Sequence, residues 1–421
     1  MPSIDAVKAM LEPFVRDGEL AGAATLTWRD GRVAQSATAG WRDMAAGLPI
    51  ERNTIFRIAS LSKPITSVVA LTLLDEGRFA LDEPISRHWA PEFAEMQVLR
   101  DPNGTLHETD PAARPITFED LLTHRSGLTY GGFHSGPLAR AYDALGGDID
   151  SDVLPDDWIA RLGALPLIDQ PGAGFHYGAS VDLLGLLLAR MENAPLGEVM
   201  RRRLFAPLGM RNTRFTVPVA DRHRCAKMYG FDDAGKLIER PTGPGGSFMA
   251  ERPDDMAFES GGQGLWSTVD DFLAFARLFL DGGAMGAVRV LKSETMALMT
   301  TNRLSDAQRA SGRLMGMPLF AGHGFGLGVA VVLDPQRADP FRCKGAIGTV
   351  GWPGAFGSWW QADPIAQSIM IFLAHNAVEP AQMAQGIGLS VWSAISRFHA
   401  IGAQSALEAA SHGRMRNAHH G

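Results

Sequence analysis

The stretch Thr54-Ile55-Phe56-Arg57-Ile58-Ala59-Ser60-Leu61-Ser62-Lys63-Pro64-Ile65-Thr66 decides how this chain is read. A short apolar approach ends at Ala59, and a helical pattern over Thr66–Glu76 follows, ended by Gly77. Ser60 therefore falls at a helix N-terminus. There its backbone N–H has no intrahelical acceptor, and the helix dipole favours developing negative charge. Lys63 lies three residues on, nearly one turn, so it shares a face with Ser60. A desolvated amine beside a serine takes its proton or holds a neighbouring base, which is what a serine nucleophile needs. The same spacing also fits a capping serine beside a solvated lysine. Of the six lysines, only Lys63 has a serine three positions upstream.

Composition removes several alternatives. The 421 residues are 46% hydrophobic and 20% charged, which excludes a disordered chain. The formal net charge is −7 and no basic run stands out, so nucleic acid is not an expected partner. No apolar run approaches the ~20 residues of a membrane span, so no membrane is expected either. The N-terminus reads Met-Pro-Ser-Ile-Asp, without a basic segment leading into an apolar one, so no secretory leader is expected. Two cysteines, Cys225 and Cys343, read as free thiols in a reducing compartment, which points to the cytoplasm, with a single bridge between them as the alternative. There is no GxSxG elbow, P-loop, HExxH or strand-linked GxGxxG. The twelve histidines are scattered, and the adjoining His419 and His420 sit in the tail, so neither a metal nor a cofactor is expected.

At about 150 residues per domain the length suggests two or three domains. The patterning is more specific. Ile4–Arg16 has the spacing of an amphipathic helix. Ala21–Trp28 and Val33–Ala39 are apolar runs around Asp30-Gly31, a hairpin signal. Gly326–Leu333, Ala346–Gly351, Gly357–Gln361 and Gln367–His375 read as four more strands, followed by a helix over Ala381–Phe398 and a loose tail from Gly402. Between Lys63 and Leu208 the periodicity is helical, with Phe118–Thr123 and Val181–Met191 as helices and Arg100–Pro115 as a polar loop. The predicted fold class is α+β. An antiparallel sheet is made from both chain ends and flanked by the terminal helices, with a helix-rich region inserted. The expected boundaries are 1–80 with 225–405, 81–224, and a tail at 406–421. A cleft between the two regions is the default place for chemistry.

Further segments bear on Ser60. In order these are Leu121-Leu122-Thr123-His124-Arg125-Ser126-Gly127-Leu128, Phe175-His176-Tyr177-Gly178-Ala179-Ser180-Val181-Asp182, Gly261-Gly262-Gln263-Gly264-Leu265-Trp266-Ser267-Thr268 followed by Asp270, and Gly351-Trp352-Pro353-Gly354-Ala355-Phe356-Gly357. With Ser60-Leu61-Ser62-Lys63 they resemble, in order, the motifs of the serine β-lactamase and penicillin-binding-protein superfamily. They are most similar to its family VIII carboxylesterases, which share the class C β-lactamase fold. The resemblance runs from about residue 10 to residue 395. Each motif is weak alone, but five in order are specific.

The resemblance implies roles. Ser60 is the nucleophile, Lys63 its neighbour, and Tyr177 the proton shuttle. A tyrosine titrating near ~10 is a poor base at neutral pH, so a nearby ammonium is a physical requirement. The N–H of Ala355 is the second oxyanion donor, after Gly354 on the strand that carries the motif. Trp352 stands where β-lactamases place a carboxylate-binding lysine and offers an apolar wall. Pro353 requires an edge or irregular strand. Tyr130 lies near the cleft as a substrate-side residue. His124 and Ser126 read as structural hydrogen-bonding residues, and Glu259 and Asp270 as helix-start or surface charges. Tyr177-Gly178-Ala179 lacks the amide of the β-lactamase Tyr-x-Asn. Loss of both the lysine and the amide points to uncharged, short-chain acyl or aryl esters as small-molecule substrates. The rivals are a β-lactamase, D-amino-acid peptidase, amide hydrolase or acyltransferase on the same site, and a non-catalytic binding protein on this fold.

Overall fold

The computed structural model describes residues 4–146, 151–240, 252, 257–314 and 317–417. Helix α1 (Ile4–Arg16) leads into strand β1 (Gly22–Arg29), which turns into β2 (Arg32–Asp43) and β3 (Leu48–Pro49). The β1–β2 turn is the expected one. Asp30 and Gly31 both take positive φ, 53° and 76°, as a two-residue turn matched to strand twist requires. Helix α2 (Ser62–Asp75), entered through the single 3-10 turn Ala59–Leu61, and helix α3 (Ser180–Glu192) lie in the middle of the sequence. Helix α4 (Val269–Ala276) precedes strands β4 (His323–Phe325), β5 (Ala330–Val332), β6 (Val350–Gly354), β7 (Ser358–Asp363) and β8 (Ser368–Ala374), and α5 (Leu389–Asn417) comes last.

The eight strands form one antiparallel sheet in the order β4-β5-β6-β7-β8-β1-β2-β3. The two ends of the chain meet at β1 and β8, from Ala23 opposite Ala374 to Arg29 opposite Ser368. Strand β8 is buried on both faces, so its side chains divide by parity. Met370, Phe372 and Ala374 pack with Val7, Leu11 and Phe14 of α1 and Ile395 and Phe398 of α5. Ile369, Ile371 and Leu373 enter the larger core with Phe272 and Phe275 of α4 and Trp360. Helix α2 is buried along Ser62–Leu73, because the sheet and the inserted helices cover it on all sides.

Four local expectations are corrected. The strand expected over Gly326–Leu333 is confined to β5, Ala330–Val332, because Gly328, at φ 95°, passes so close to Ser67 of α2 that a Cβ would collide with it. The strand expected over Ala346–Gly351 is β6, from Val350 to Gly354. The helix expected over Ala381–Phe398 is broken, with Pro380–Ala384 separated from α5 by Gly386 and Gly388 at φ 84° and 76°. The tail expected to be loose from Gly402 is helical as far as Asn417, and Ala406, Leu407, Glu408, Ala409 and Ala410 are strong helix formers. His419 and His420 lie outside the described residues. No helix among the described residues is long and apolar enough to cross a membrane.

Candidate active site

Ser60 owes its place to a bent approach. The Ile58 N–H donates to the Leu265 carbonyl at 2.9 Å, and Ala59 sits at φ 46°, a left-handed conformation that costs an L-residue about 1–2 kcal/mol. The chain thereby turns from a short strand, Phe56–Arg57, into the 3-10 turn that carries Ser60 and runs into α2. Ser60 keeps 8% of its surface accessible, while Lys63, one turn on, keeps 1%. Lys63 Nζ lies 3.3 Å from Ser60 Oγ, 3.1 Å from the Tyr130 hydroxyl and 2.9 Å from the Gly262 carbonyl oxygen.

Tyr177 closes the other side. Its ring face lies 4.6 Å from Lys63 Nζ, measured to the centroid. Its neighbour Gly178 presses on the backbone of Thr129 so closely that no Cβ fits, which seats Tyr177 against the 124–130 loop. The Gly178 N–H points at His124 Nδ1, 3.4 Å away, and the His124 ring packs on Tyr177 at 4.8 Å. Burial, and then the charge of Lys63, hold the imidazole of His124 well below its usual range, so it is neutral. The indole N–H of Trp352 donates to the Tyr177 hydroxyl oxygen at 3.1 Å. Outside Tyr177 is a cavity of about 220 Å³ lined by Phe133, His134, Phe175, His176 and Arg313 among others. A second cavity of about 450 Å³, reaching Arg100 and Asp110, shares Ile168 and His176 with it.

Strand β6 brings in the remaining residues. A Cβ on Gly354 would lie 2.7 Å from the Ile58 carbonyl oxygen, so the end of β6 abuts the turn that carries Ser60. Ala355 follows in an exposed turn, and its N–H has no acceptor among the described residues. Pro353 is paired with Trp359 of β7, whereas β5 pairs only with Val350 and Gly351. At Pro353 the strand thus has a neighbour on one side, and a residue without an N–H is tolerated.

Ser60, Lys63, Tyr130, Tyr177 and Trp352 therefore form one connected cluster, with Gly354 against the turn of Ser60 and Ala355 next to it in sequence. Two expectations change. Trp352 is more than an apolar wall, because its N–H is bonded to Tyr177. Tyr130, expected only near the cleft, contacts Lys63 directly, while Lys63 meets Tyr177 at its ring face. Ser126 bonds Ser180 at 2.8 Å and His124 is buried, as structural residues are. Asp270 pairs with Arg52 at the surface, and Glu259 accepts from the Gly197 N–H of a distant helix start. Sequence reasoning missed Asp182, Ser260 and Gly262. Asp182 Oδ2 accepts from the Tyr130 hydroxyl at 2.6 Å, while Oδ1 accepts from the Gly262 N–H at 3.0 Å and from the Ser260 hydroxyl. The available signal was a carboxylate inside the apolar run Val181–Met191.

Residues 7–389 match the family described as Beta-lactamase. The chain belongs to that beta-lactamase family. Within it, Protein Rv1367c of Mycobacterium tuberculosis is 42% identical over 374 residues, covering 89% of this chain and 90% of the relative. Esterase EstB of Burkholderia gladioli is 30% identical over 383 residues, covering 88% and 90%. Among solved structures, "EstCE1, a hydrolase with promiscuous acyltransferase activity" superposes with a TM-score of 0.73 at 28% identity, covering 92% of this chain and 97% of that one. This beta-lactamase family member is a serine hydrolase on the β-lactamase and penicillin-binding-protein fold. Among its described residues no group of three or more His, Cys, Asp or Glu is placed to hold a metal ion.

Proposed function

We propose that this protein hydrolyses uncharged carboxylic esters through an acyl-enzyme on Ser60, with Lys63 and Tyr177 moving the proton. The observation that carries the reading is the placement of Lys63 Nζ, 3.3 Å from Ser60 Oγ and over the ring of a tyrosine whose oxygen receives the Trp352 N–H. Hydrogen bonds to an anionic oxygen and a neighbouring cation both favour a phenolate.

In this reading Ser60 Oγ forms a bond to the ester carbonyl carbon as its proton passes to the Tyr177 oxygen. The oxyanion is held by the N–H groups of Ser60 and Ala355. Collapse breaks the bond to the alkoxide, which takes the proton from Tyr177 and leaves as the alcohol. Water then attacks the acyl-Ser60, gives its proton to Tyr177, and the acid departs as Ser60 recovers the proton. Trp352 in place of a carboxylate-binding lysine, and the buried Ala179 in place of an amide, support esters over β-lactams and peptides. The names of the esterase relatives support the same choice. Acyl transfer to an alcohol is the second reading, favoured by the description of EstCE1. Two free cysteines support a cytoplasmic setting.

The test is turnover of short-chain p-nitrophenyl esters and of a chromogenic cephalosporin by the wild type and Ser60→Ala. Ester turnover lost in Ser60→Ala is the expected result. Turnover that survives the substitution overturns the mechanism, and strong cephalosporin turnover with negligible ester turnover overturns the substrate class.

A further inference from the structure

Asp182 is 3% exposed on α3, yet both its carboxylate oxygens are satisfied. They receive the hydroxyl of Tyr130, the hydroxyl of Ser260 and the N–H of Gly262. Position 262 has to be glycine for this, because a Cβ there would collide with the carboxylate. The carbonyl of Gly262 in turn accepts from Lys63. Asp182 thus reaches Lys63 by two routes, through the phenol of Tyr130 and through the backbone of Gly262.

The donor count assigns the protons. An ammonium has three N–H groups and no lone pair, and Lys63 Nζ faces three acceptors in Ser60, Tyr130 and Gly262. Tyr130 has one proton and a carboxylate 2.6 Å away, so the proton goes to Asp182 and the phenol oxygen accepts from Lys63. A buried carboxylate needs a nearby cation, and Lys63 provides it. Both tyrosines lie beside Lys63, and their second partners differ. The proton of Tyr130 is committed to the Asp182 carboxylate, whereas the Tyr177 oxygen accepts the Trp352 N–H and meets no carboxylate. The other ionisable group packed here is His124, neutral by burial.

We infer that Asp182 and Tyr130 are positioning residues that hold Lys63 as an ammonium and keep Tyr130 protonated, so that the base role falls on Tyr177. The inference rests on the Ser60 acyl-enzyme reading. Both act through Lys63.

The experiment compares Asp182→Asn, Tyr130→Phe and Tyr177→Phe with the wild type and Ser60→Ala on p-nitrophenyl butyrate across pH 5–10. The expected kcat loss is about 10- to 100-fold in Asp182→Asn and Tyr130→Phe, with KM within about threefold. The alkaline limb of kcat/KM moves down by about one pH unit in Asp182→Asn, because the ammonium loses its counter-charge. Tyr177→Phe is the most damaging of the tyrosine changes. Unchanged kcat and an unmoved alkaline limb in Tyr130→Phe overturn the inference, as does a Tyr130→Phe loss larger than that of Tyr177→Phe, which makes Tyr130 the base. If Asp182→Asn does not fold, the Tyr130→Phe and Tyr177→Phe pair decides alone. Ser60-independent turnover marks failure of the underlying reading instead.

Discussion

Trp352 and Tyr177, 175 residues apart in sequence, are joined by a 3.1 Å hydrogen bond from the indole N–H to the phenolic oxygen. Both residues are buried, and their rings lie 5.3 Å apart. In the proposed mechanism the bond puts a donor on the atom that carries negative charge. Trp352→Phe keeps a ring and removes only the donor. A hydrogen bond to a charged group contributes about 1.5–3 kcal/mol, so kcat should fall roughly 10- to 150-fold with little change in Tm. Steady-state kinetics beside a thermal melt check this, and wild-type kcat in the variant would show that the bond is idle.

Gly354→Ala tests the seam between β6 and the turn that carries Ser60. The added methyl would sit 2.7 Å from the Ile58 carbonyl oxygen and 3.0 Å from Leu61 Cδ1. Either the strand retreats or the Ser60 turn does, and both separate the N–H groups of Ser60 and Ala355. Loss of one oxyanion donor costs about 10²–10³ in kcat. The variant should fold and lose activity on that order. Full activity would mean that the two N–H groups are not a working pair.

His375 sets an acid limit on stability. Its imidazole is buried against Ala226, with Nδ1 2.6 Å from the carbonyl oxygen, and burial lowers its pKa to about 3, helped by Arg57. In the unfolded chain it titrates near 6.5. Between these values the unfolded state binds the extra proton, so stability rises with pH there. The stabilisation is complete above about 6.5 and is lost progressively as the pH falls toward 3. A Tm-against-pH series should show this slope, and His375→Gln should flatten it. An equally steep slope in the variant assigns the acid sensitivity elsewhere.

Thiol reagents should leave the enzyme active. Cys343 is fully buried and its thiol is pushed far above the usual range, while burial raises Cys225 to about 12. Near pH 7.5 neither holds a useful thiolate fraction. Iodoacetamide should label neither cysteine in the folded protein and both in denaturant. Rapid labelling of native protein, with loss of turnover, would falsify this picture.

Sequence alone determined what is local. Asp30-Gly31 fixes a hairpin because both residues accept positive φ, and α1 is bounded as its apolar spacing indicates. The order of the motifs around Ser60 marked the fold, and Ser60 and Lys63 share a face because three residues are nearly one helical turn. Gly328, Gly386 and Gly388 were harder to read, since a glycine announces a bend without saying what the chain approaches. The tertiary structure decided everything that depends on distant partners. Lys63 meets Tyr130 across 67 residues and Gly262 across 199, and no periodicity relates them. Which tyrosine faces the Trp352 N–H and which faces Asp182 follows from how the sheet, α2 and α3 pack. That packing gives each phenol its own second partner, a carboxylate for Tyr130 and an indole N–H for Tyr177.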